Sequence, residues 1–206
     1  MLVLSVSACS DGGEDGAAEA SAALKACQEV FGAENVEAVR PALGGGELRA
    51  ETVPLDQMKE ALLKKARNWT PSSENFSRAW YQPCRLLEAS ENRVQSWVAG
   101  EVKWSVLTMD TVTTGKSASE WRKAGDDVYV QHLSRSNGIA VVLSCRIQGA
   151  VPEQERQLPL EIRVYDQALQ GDRVEVLGRL ASALATDTRE RLGCEDPLSI
   201  PTVLKP

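Results

Sequence analysis

The chain of 206 residues is 43% hydrophobic and 25% charged, with a formal net charge of −6. This is the composition of a globular chain long enough for one domain with its own core, and nowhere does it approach the roughly 18 consecutive apolar residues of a membrane-spanning helix. Asp11, Glu14, Asp15 and Glu19 all precede Lys25, the first basic residue, so removing these four charges from −6 leaves −2 for the rest; a nearly neutral domain without a clustered basic face argues against a nucleic-acid binder.

Met1 to Ala8 is apolar or small throughout and runs into Val6-Ser7-Ala8-Cys9. That tetrad resembles the lipobox of bacterial lipoproteins. The resemblance implies a diacylglyceryl group and palmitate at Cys9, with residues 1–8 as a truncated leader cut just before it. It also implies a lipid-anchored protein on the extracytoplasmic face of the bacterial cell membrane. Two acyl chains anchor stably where one is marginal. A secretory leader also carries a basic n-region and about 7 to 15 apolar residues; the first is missing and the second short, which places the expected natural start upstream of Met1. Ser10 to Ala20 (SDGGEDGAAEA) has no large apolar side chain and cannot bury enough surface to offset chain entropy. Residues 9–21 therefore read as the lipidated cysteine and a flexible acidic tether, and residues 22–206 as a single domain.

Ser21 can cap a first helix in which Leu24, Cys27 and Phe31 share one face and which Gly32 ends. Val36 to Leu43 suggests a short helix, broken by Gly44, Gly45 and Gly46. Pro54 suits a first helical position, and Leu55, Met58, Leu62, Ala66 and Trp69 form the stripe of a second helix, acidic early at Asp56 and Glu60 and basic late at Lys64, Lys65 and Arg67. From Trp80 the period changes to two. Trp80, Cys84 and Leu86, then Val94, Val98, Val102, Trp104 and Val106, keep one parity, as strands with one buried face require, and Gly100 is expected to mark a kink or turn. Ser117 and Glu120 match a capping box opening a short helix around Trp121 that Gly125 closes. Val128–Leu133 and Ile139–Ile147 read as a hairpin turning near Asn137-Gly138. Leu160, Ile162 and Val164 mark a further strand after a polar loop from Pro152 to Pro159. Asp172 with Glu175 opens the last helix, with Val174, Leu177, Ala181, Leu184 and Thr188 as its stripe and Gly193 as its end.

Past Cys9 stand Cys27, Cys84, Cys145 and Cys194, an even number in a chain read as exported, so two disulfides are expected. No pair has CxxC spacing. Four cysteines allow three connectivities. Cys27 and Cys145 both face the core, and a helix packed on a sheet brings its end near a sheet residue, so Cys145 with Cys194 is the favoured pair, leaving Cys27 with Cys84. Helices, then strands in hairpin order, then a long helix give an α+β fold: an antiparallel sheet packed by N-terminal helices and a long C-terminal helix, with two disulfides.

Chemistry is sparsely marked. The single histidine, His132, cannot make a His-rich metal site and lacks a marked nucleophile and orienter, so it reads as a strand residue. Gly115-Lys116-Ser117 matches the end of a phosphate-binding loop, but Asp110 occupies the first glycine's position. Asp126-Asp127 and Glu153/Glu155 read as solvated turn carboxylates. No catalytic residue, metal or cofactor is expected, although paired hydrolase carboxylates need no local motif. Five tryptophans stand against two phenylalanines. Trp97 has odd parity beside an even-numbered core face, and Trp69, Trp80 and Tyr81 flank the loop 70–78, which makes these four the candidate binding surface; the plainer reading places them in the core. Asn68-Trp69-Thr70 and Asn75-Phe76-Ser77 match glycosylation sequons, incidental in a bacterial setting.

The lipobox, the acidic tether, two inward-facing cysteine pairs and a final helix ending at Gly193-Cys194 are similar to the four-cysteine lipoproteins of actinobacteria, many of unknown function and some with a PsbP-like α+β architecture. The likeness covers most of the chain in layout, and the lipobox is its one specific motif. It implies a cell-envelope binding or accessory role, and no catalytic residues carry over. The expected function is a membrane-tethered, non-enzymatic module binding an envelope protein, glycan or small apolar ligand. The alternatives are a cell-wall hydrolase with unmarked carboxylates and a sensory or regulatory subunit of a membrane protein.

Overall fold

A computed structural model describes residues 14–72, 79–89, 96–115, 118–133, 137–167 and 173–206. Seven strands, β1 (Leu48–Glu51), β2 (Tyr81–Glu88), β3 (Trp97–Trp104), β4 (Arg122–Gly125), β5 (Val128–Leu133), β6 (Gly138–Leu143) and β7 (Leu160–Asp166), form one sheet in the order β1-β2-β3-β7-β6-β5-β4. Every neighbouring pair is antiparallel. The β4-β5-β6 meander is completed before β7 returns to lie beside β3, so the middle of the sheet joins residues some 60 positions apart, as in Val102↔Ile162. Around it lie α1 (Glu14–Phe31), α2 (Ala33–Val39), α3 (Leu55–Asn68), α4 (Met109–Thr114), α5 (Gln154–Gln157) and α6 (Arg173–Leu192).

The apolar stripes bury as helical spacing requires. Cys27, Val30 and Phe31 of α1, Met58, Leu62 and Ala66 of α3, and Leu177, Ala181, Leu184 and Thr188 of α6 all pack inward. They meet Val98, Val102, Trp104, Ile139, Val141, Leu143, Leu160, Ile162 and Val164 in one core between helices and sheet. Gly32 sits at φ 82°, the left-handed region that glycine enters without a Cβ penalty, and there the chain turns from α1 into α2. The Trp104 indole Nε1 donates to the Leu62 carbonyl at 3.0 Å, so the largest fully buried side chain reaches a polar partner on α3.

Both disulfides take the favoured pairing. Cys27 of α1 joins Cys84 of β2 with a Cα separation of 5.1 Å, and Cys145 joins Cys194 at 4.9 Å. They close intervals of 57 and 49 residues, each worth about 4 kcal/mol by the chain-entropy argument. Beyond Cys194 the tail is fastened to α6. Asp196 accepts hydrogen bonds from the Ser144 hydroxyl and the Arg146 N–H and pairs with Arg189, the Ser182 hydroxyl donates to Pro201 O at 2.6 Å, and the buried Leu204 donates its N–H to Gly178 O at 3.2 Å.

Several local expectations change. The first helix begins at Glu14, not after Ser21, so the acidic segment from Glu14 to Ala20 is helical and continuous with the buried turn at Cys27. Strand β1 had no distinct alternating signal, being only four residues long. The helix expected around Trp121 shrinks to a single 3-10 turn at Ala118–Glu120 that ends at Trp121, and Arg122–Gly125 is an edge strand paired with β5. A helical turn instead forms at Met109–Thr114, where the Thr108 hydroxyl accepts from Thr111 N–H and Met109 and Val112 are buried. Ser117 and Lys116 lie outside the described residues, as do Val94 and the expected cap Asp172.

Gly100 makes neither a kink nor a turn. It lies mid-strand where α1 and α6 approach the sheet, and a Cβ there would sit 2.7 Å from Leu184 Cδ2 and 2.8 Å from Phe31 Cζ. Val106 is 57% exposed, because the strand stops at Trp104 and Ser105 folds back to donate to Pro159 O and accept from Leu107 N–H. Val174, in the first turn of α6, is 41% exposed and leaves the apolar stripe. The segment between Pro152 and Pro159 is not simply a polar loop. Gln154 of α5 is fully buried, accepting from Ile147 N–H and donating to Cys145 O and Leu158 O, and Glu155 is buried in an ion pair with Arg146 rather than solvated.

Candidate binding face

Strand parity divides the sheet into two unlike surfaces. The even-numbered positions of β3 and β7 point to the helices, as the approach of Phe31 and Leu184 to Gly100 requires. Their odd-numbered positions occupy the other side: Trp97, Ala99, Glu101 and Lys103 on β3, and Glu161, Arg163 and Tyr165 on β7. Register carries this surface outward, with Arg85 of β2 opposite Ala99, and Glu51 of β1 opposite Arg85. Over the β6-β5 half a small second cluster covers the sheet, Met109 and Val112 of α4 packing on Val142 with Leu107, Trp121 and Tyr129 around them. Over the β1-β2-β3-β7 half, the helices α1, α3 and α6 are all on the opposite side.

Among the described residues no helix covers this half-face, which holds a connected set of aromatic and charged side chains over the buried Leu87, Ala99, Lys103 and Glu161. Trp97 and Tyr165 meet edge to face, centroids 5.2 Å apart with planes at 89°, a geometry worth ~0.5–1.5 kcal/mol beyond area burial. The Arg85 guanidinium lies 5.1 Å from the Trp97 ring centre. Just before β2, the Trp80 ring sits beneath two cations, with Lys103 Nζ at 4.2 Å and Arg163 Cζ at 4.4 Å. Both of those cations share Glu161, Lys103 at 3.3 Å and Arg163 at 2.8 Å. The pairs are layered by depth: the Glu161 side chain is 4% exposed and Arg163 is 36% exposed. The carboxylate forms the floor and the guanidinium faces solvent.

Tyr165 is the centre of the set. Its hydroxyl donates to Glu101 Oε1 at 2.5 Å. Burial, then the hydrogen bond and the charge of Glu101, push the phenol well above its ordinary range, against the opposing fields of Arg85 and Arg163. Tyr165 is therefore a fixed neutral donor at any physiological pH. On either side in the same row stand small residues, Ala99 and Gly138. A Cβ at Gly138 would lie 2.8 Å from both Tyr165 Cβ and Val164 O, so the glycine lets β6 approach the β7 backbone at Tyr165 closely.

Of the residues expected to form a binding surface, only two are brought together. Trp80 and Trp97 both belong to the open half-face, linked through Arg163, Tyr165 and Arg85. Trp69 is buried in the main core at the end of α3 and is removed from the surface, because the stripe of that helix runs one turn further than its last aliphatic residue. Tyr81 faces the helix layer, its ring 5.1 Å from Lys65 of α3. Cys9 lies outside the described residues, as does Asn75. His132 is an exposed position on β5 opposite Ile139. Asp126 and Asp127 form the β4–β5 turn, Asp127 at φ 51°. Gly115 follows a helical turn rather than a strand, contrary to what a phosphate-binding loop requires.

Sequence reasoning did not single out Arg85, Glu101, Arg163 and Tyr165. Their signal was the odd parity of Glu161, Arg163 and Tyr165 among Leu160, Ile162 and Val164, but only the β3–β7 pairing puts them beside Trp97. Among the described residues, no group of three or more His, Cys, Asp and Glu side chains could hold a metal ion, and no helix is long and apolar enough to cross a membrane.

Together these features define a two-layer α+β domain, stapled by two disulfides, with one half-face of its sheet left to polar and aromatic side chains. Compared with protein-family models, curated proteins and solved structures, the chain matches none.

Proposed function

We propose that this protein is a lipid-anchored, non-enzymatic binding module of the bacterial cell envelope and that the β1-β2-β3-β7 half-face is its ligand surface. The observation that carries the reading is the Trp80/Trp97/Tyr165 set with Arg85 and Arg163, gathered on the side of the sheet opposite the helices. Sheets usually cover an apolar face with helices and solvate a polar one. Rings of tryptophan and tyrosine bridged by arginines are instead the residue types that dominate binding energetics.

The face favours binding over hydrolysis, since both of its central carboxylates are engaged: Glu161 by two cations and Glu101 by the Tyr165 hydroxyl. Two disulfides in the core fit an oxidising compartment. The Val6-Ser7-Ala8-Cys9 tetrad and the layout shared with four-cysteine lipoproteins supply the anchor in this reading.

The test separates anchor from ligand. Produced with its upstream codons, the membrane-bound protein carries a lipid-modified Cys9 by mass spectrometry. A Cys9→Ala protein, exported through a cleavable leader, still co-sediments with a washed envelope fraction, and Trp97→Ala in that background releases it. Co-sedimentation that is absent, or indifferent to Trp97, contradicts the reading.

A further inference from the structure

We infer that the ligand of this half-face is an uncharged saccharide, stacked on the Trp97 and Tyr165 rings and hydrogen-bonded by Arg85, Arg163 and Glu101. The inference rests on the open half-face being the binding surface. Three observations select this chemistry from the alternatives.

The first is charge balance. Arg49, Arg85, Lys103 and Arg163 share the face with Glu51, Glu101 and Glu161. Arg85 is paired with Glu51 at 3.1 Å, and Glu161 lies under Lys103 and Arg163. A polyanion binds by releasing counterions from uncompensated cations. Here a bound anion would meet Glu101 beside Tyr165 and would compete with carboxylates already in place.

The second is the alternation of flat rings with planar, multiply hydrogen-bonding groups. The C–H face of a sugar ring is apolar with weakly positive hydrogens, which suits the negative face of an aromatic ring. Its rim of adjacent hydroxyls needs donors and acceptors side by side. Arg85 and Arg163 supply forked donors and Glu101 an acceptor, and the Tyr165 oxygen, its one proton committed to Glu101, presents its lone pairs as a second acceptor. A purely apolar ligand would leave these groups desolvated without partners, at a cost.

The third is preorganisation. Trp97 and Tyr165 are held at right angles by each other, and Arg85 by both Glu51 and the Trp97 ring. Arg85 and Arg163 remain about one-third exposed, with side chains 32% and 36% accessible. These groups are fixed in place and still within reach, which lowers the ordering cost that weakens binding to flexible surfaces.

The experiment uses the full-length Cys9→Ala protein and two probes: the neutral and the acidic oligosaccharide pools released from the envelope of the bacterium that makes it. Nitrogen-15 correlation spectra follow the tryptophan indole and arginine side-chain signals during titration. The neutral pool is expected to shift the Trp80 and Trp97 indole signals, with an affinity changing less than about twofold between 50 and 500 mM salt, since no net charge is neutralised. Trp97→Ala should weaken that binding by about tenfold or more. Arg85→Gln, whose partner Glu51 is itself half exposed, should weaken it severalfold with little change in the unfolding midpoint, and this guards against a Trp97 variant that fails to fold.

Binding of the acidic pool alone, falling steeply with salt, overturns the uncharged saccharide while leaving the half-face as the binding surface. The same holds if neither pool shifts these signals while envelope co-sedimentation still depends on Trp97, which would indicate a protein partner. If neither pool binds and co-sedimentation ignores the face, both the inference and the reading beneath it fall.

Discussion

At Gly100 Phe31 of α1 and Leu184 of α6 press on the centre of the sheet, and replacing the glycine with alanine measures how tightly the two layers are fitted. The added Cβ would lie 2.7 Å from Leu184 Cδ2 and 2.8 Å from Phe31 Cζ, whereas optimal carbon contacts fall at about 3.5–4.0 Å. Each neighbour must therefore move by about 1 Å. Phe31 and Leu184 are both fully buried, so neither can swing into solvent. Overpacking of this kind costs about 1–3 kcal/mol. Two such contacts on immobile neighbours put this site in the upper half of that range, about 2–3 kcal/mol, and restricting the unfolded chain offsets about 0.4–1 kcal/mol, which leaves a net destabilisation of about 1–2.6 kcal/mol. Leu184→Ala alone should cost about 2–5 kcal/mol by the cavity it leaves. In the double variant the new methyl group fills part of that cavity, so the double should be more stable than the sum of the singles by about 1–2 kcal/mol. Urea unfolding followed by tryptophan fluorescence reads all three, provided the slope with denaturant is constant. A neutral or stabilised Gly100→Ala, or singles that add to within about 0.5 kcal/mol, would refute the packing described.

Other perturbations test the remaining joints of the fold. Burial raises the Asp196 carboxyl, but the Ser144 hydroxyl, the Arg146 N–H and the Arg189 charge outweigh it and hold the group below its ordinary value. Asp196→Asn should therefore cost about 1–3 kcal/mol at pH 7. Because the folded value is depressed, the stabilisation is full above the ordinary aspartate value of about 3.9 and is lost as pH falls through the lower folded value; unfolding curves of parent and variant should converge there, and a gap independent of pH would count against the assignment. Replacing Cys145 and Cys194 together by alanine reopens a 49-residue interval and should lower stability by about 4 kcal/mol, read as a drop in urea midpoint with a slope that rises because the released unfolded chain exposes more surface. Glu161→Gln removes the buried carboxylate that Lys103 and Arg163 share and should cost about 3 kcal/mol, much of it recovered in Lys103→Met/Glu161→Met; equal losses in the single and double variants would contradict the ion pair.

The fold was legible wherever one periodicity ran long enough to be unambiguous. The stripe Met58, Leu62, Ala66 and the alternation Ile139, Val141, Leu143 each define one buried face, and β5 and β6 pair as the expected hairpin, with Leu133 opposite Gly138. The disulfide pairing followed from the same facing argument. What failed did so for local reasons. Trp121 follows a single 3-10 turn at Ala118–Glu120, and pairing with β5 then takes Arg122–Gly125 into the sheet, neither of which leaves a periodic trace. Gly100 looked like a turn because its reason is tertiary, the approach of two helices from distant parts of the chain.

The candidate face was legible only in fragments. Parity marked Trp97 as facing away from the core, and that reading extends equally to Glu101, Arg163 and Tyr165. Nothing in the order of residues tells that β7 lies against β3 rather than against β6 alone. Until that pairing is known, Trp97 and Tyr165 are two unrelated aromatic residues 68 positions apart in the numbering. Trp69 misled because a helix stripe and a surface patch are both written as an aromatic beside a polar loop.

The central claim is that one half of one sheet face is the working surface, and a matched pair of photocrosslinkers tests it most directly. Arg163 on the open face and Arg179 on the outer side of α6 have side chains of the same exposure, 36%. With benzoylphenylalanine placed at one position or the other in the anchored protein in living cells, irradiation should link envelope material to position 163 and little or none to position 179. Equal capture at both positions, or capture from 179 alone, would contradict the account.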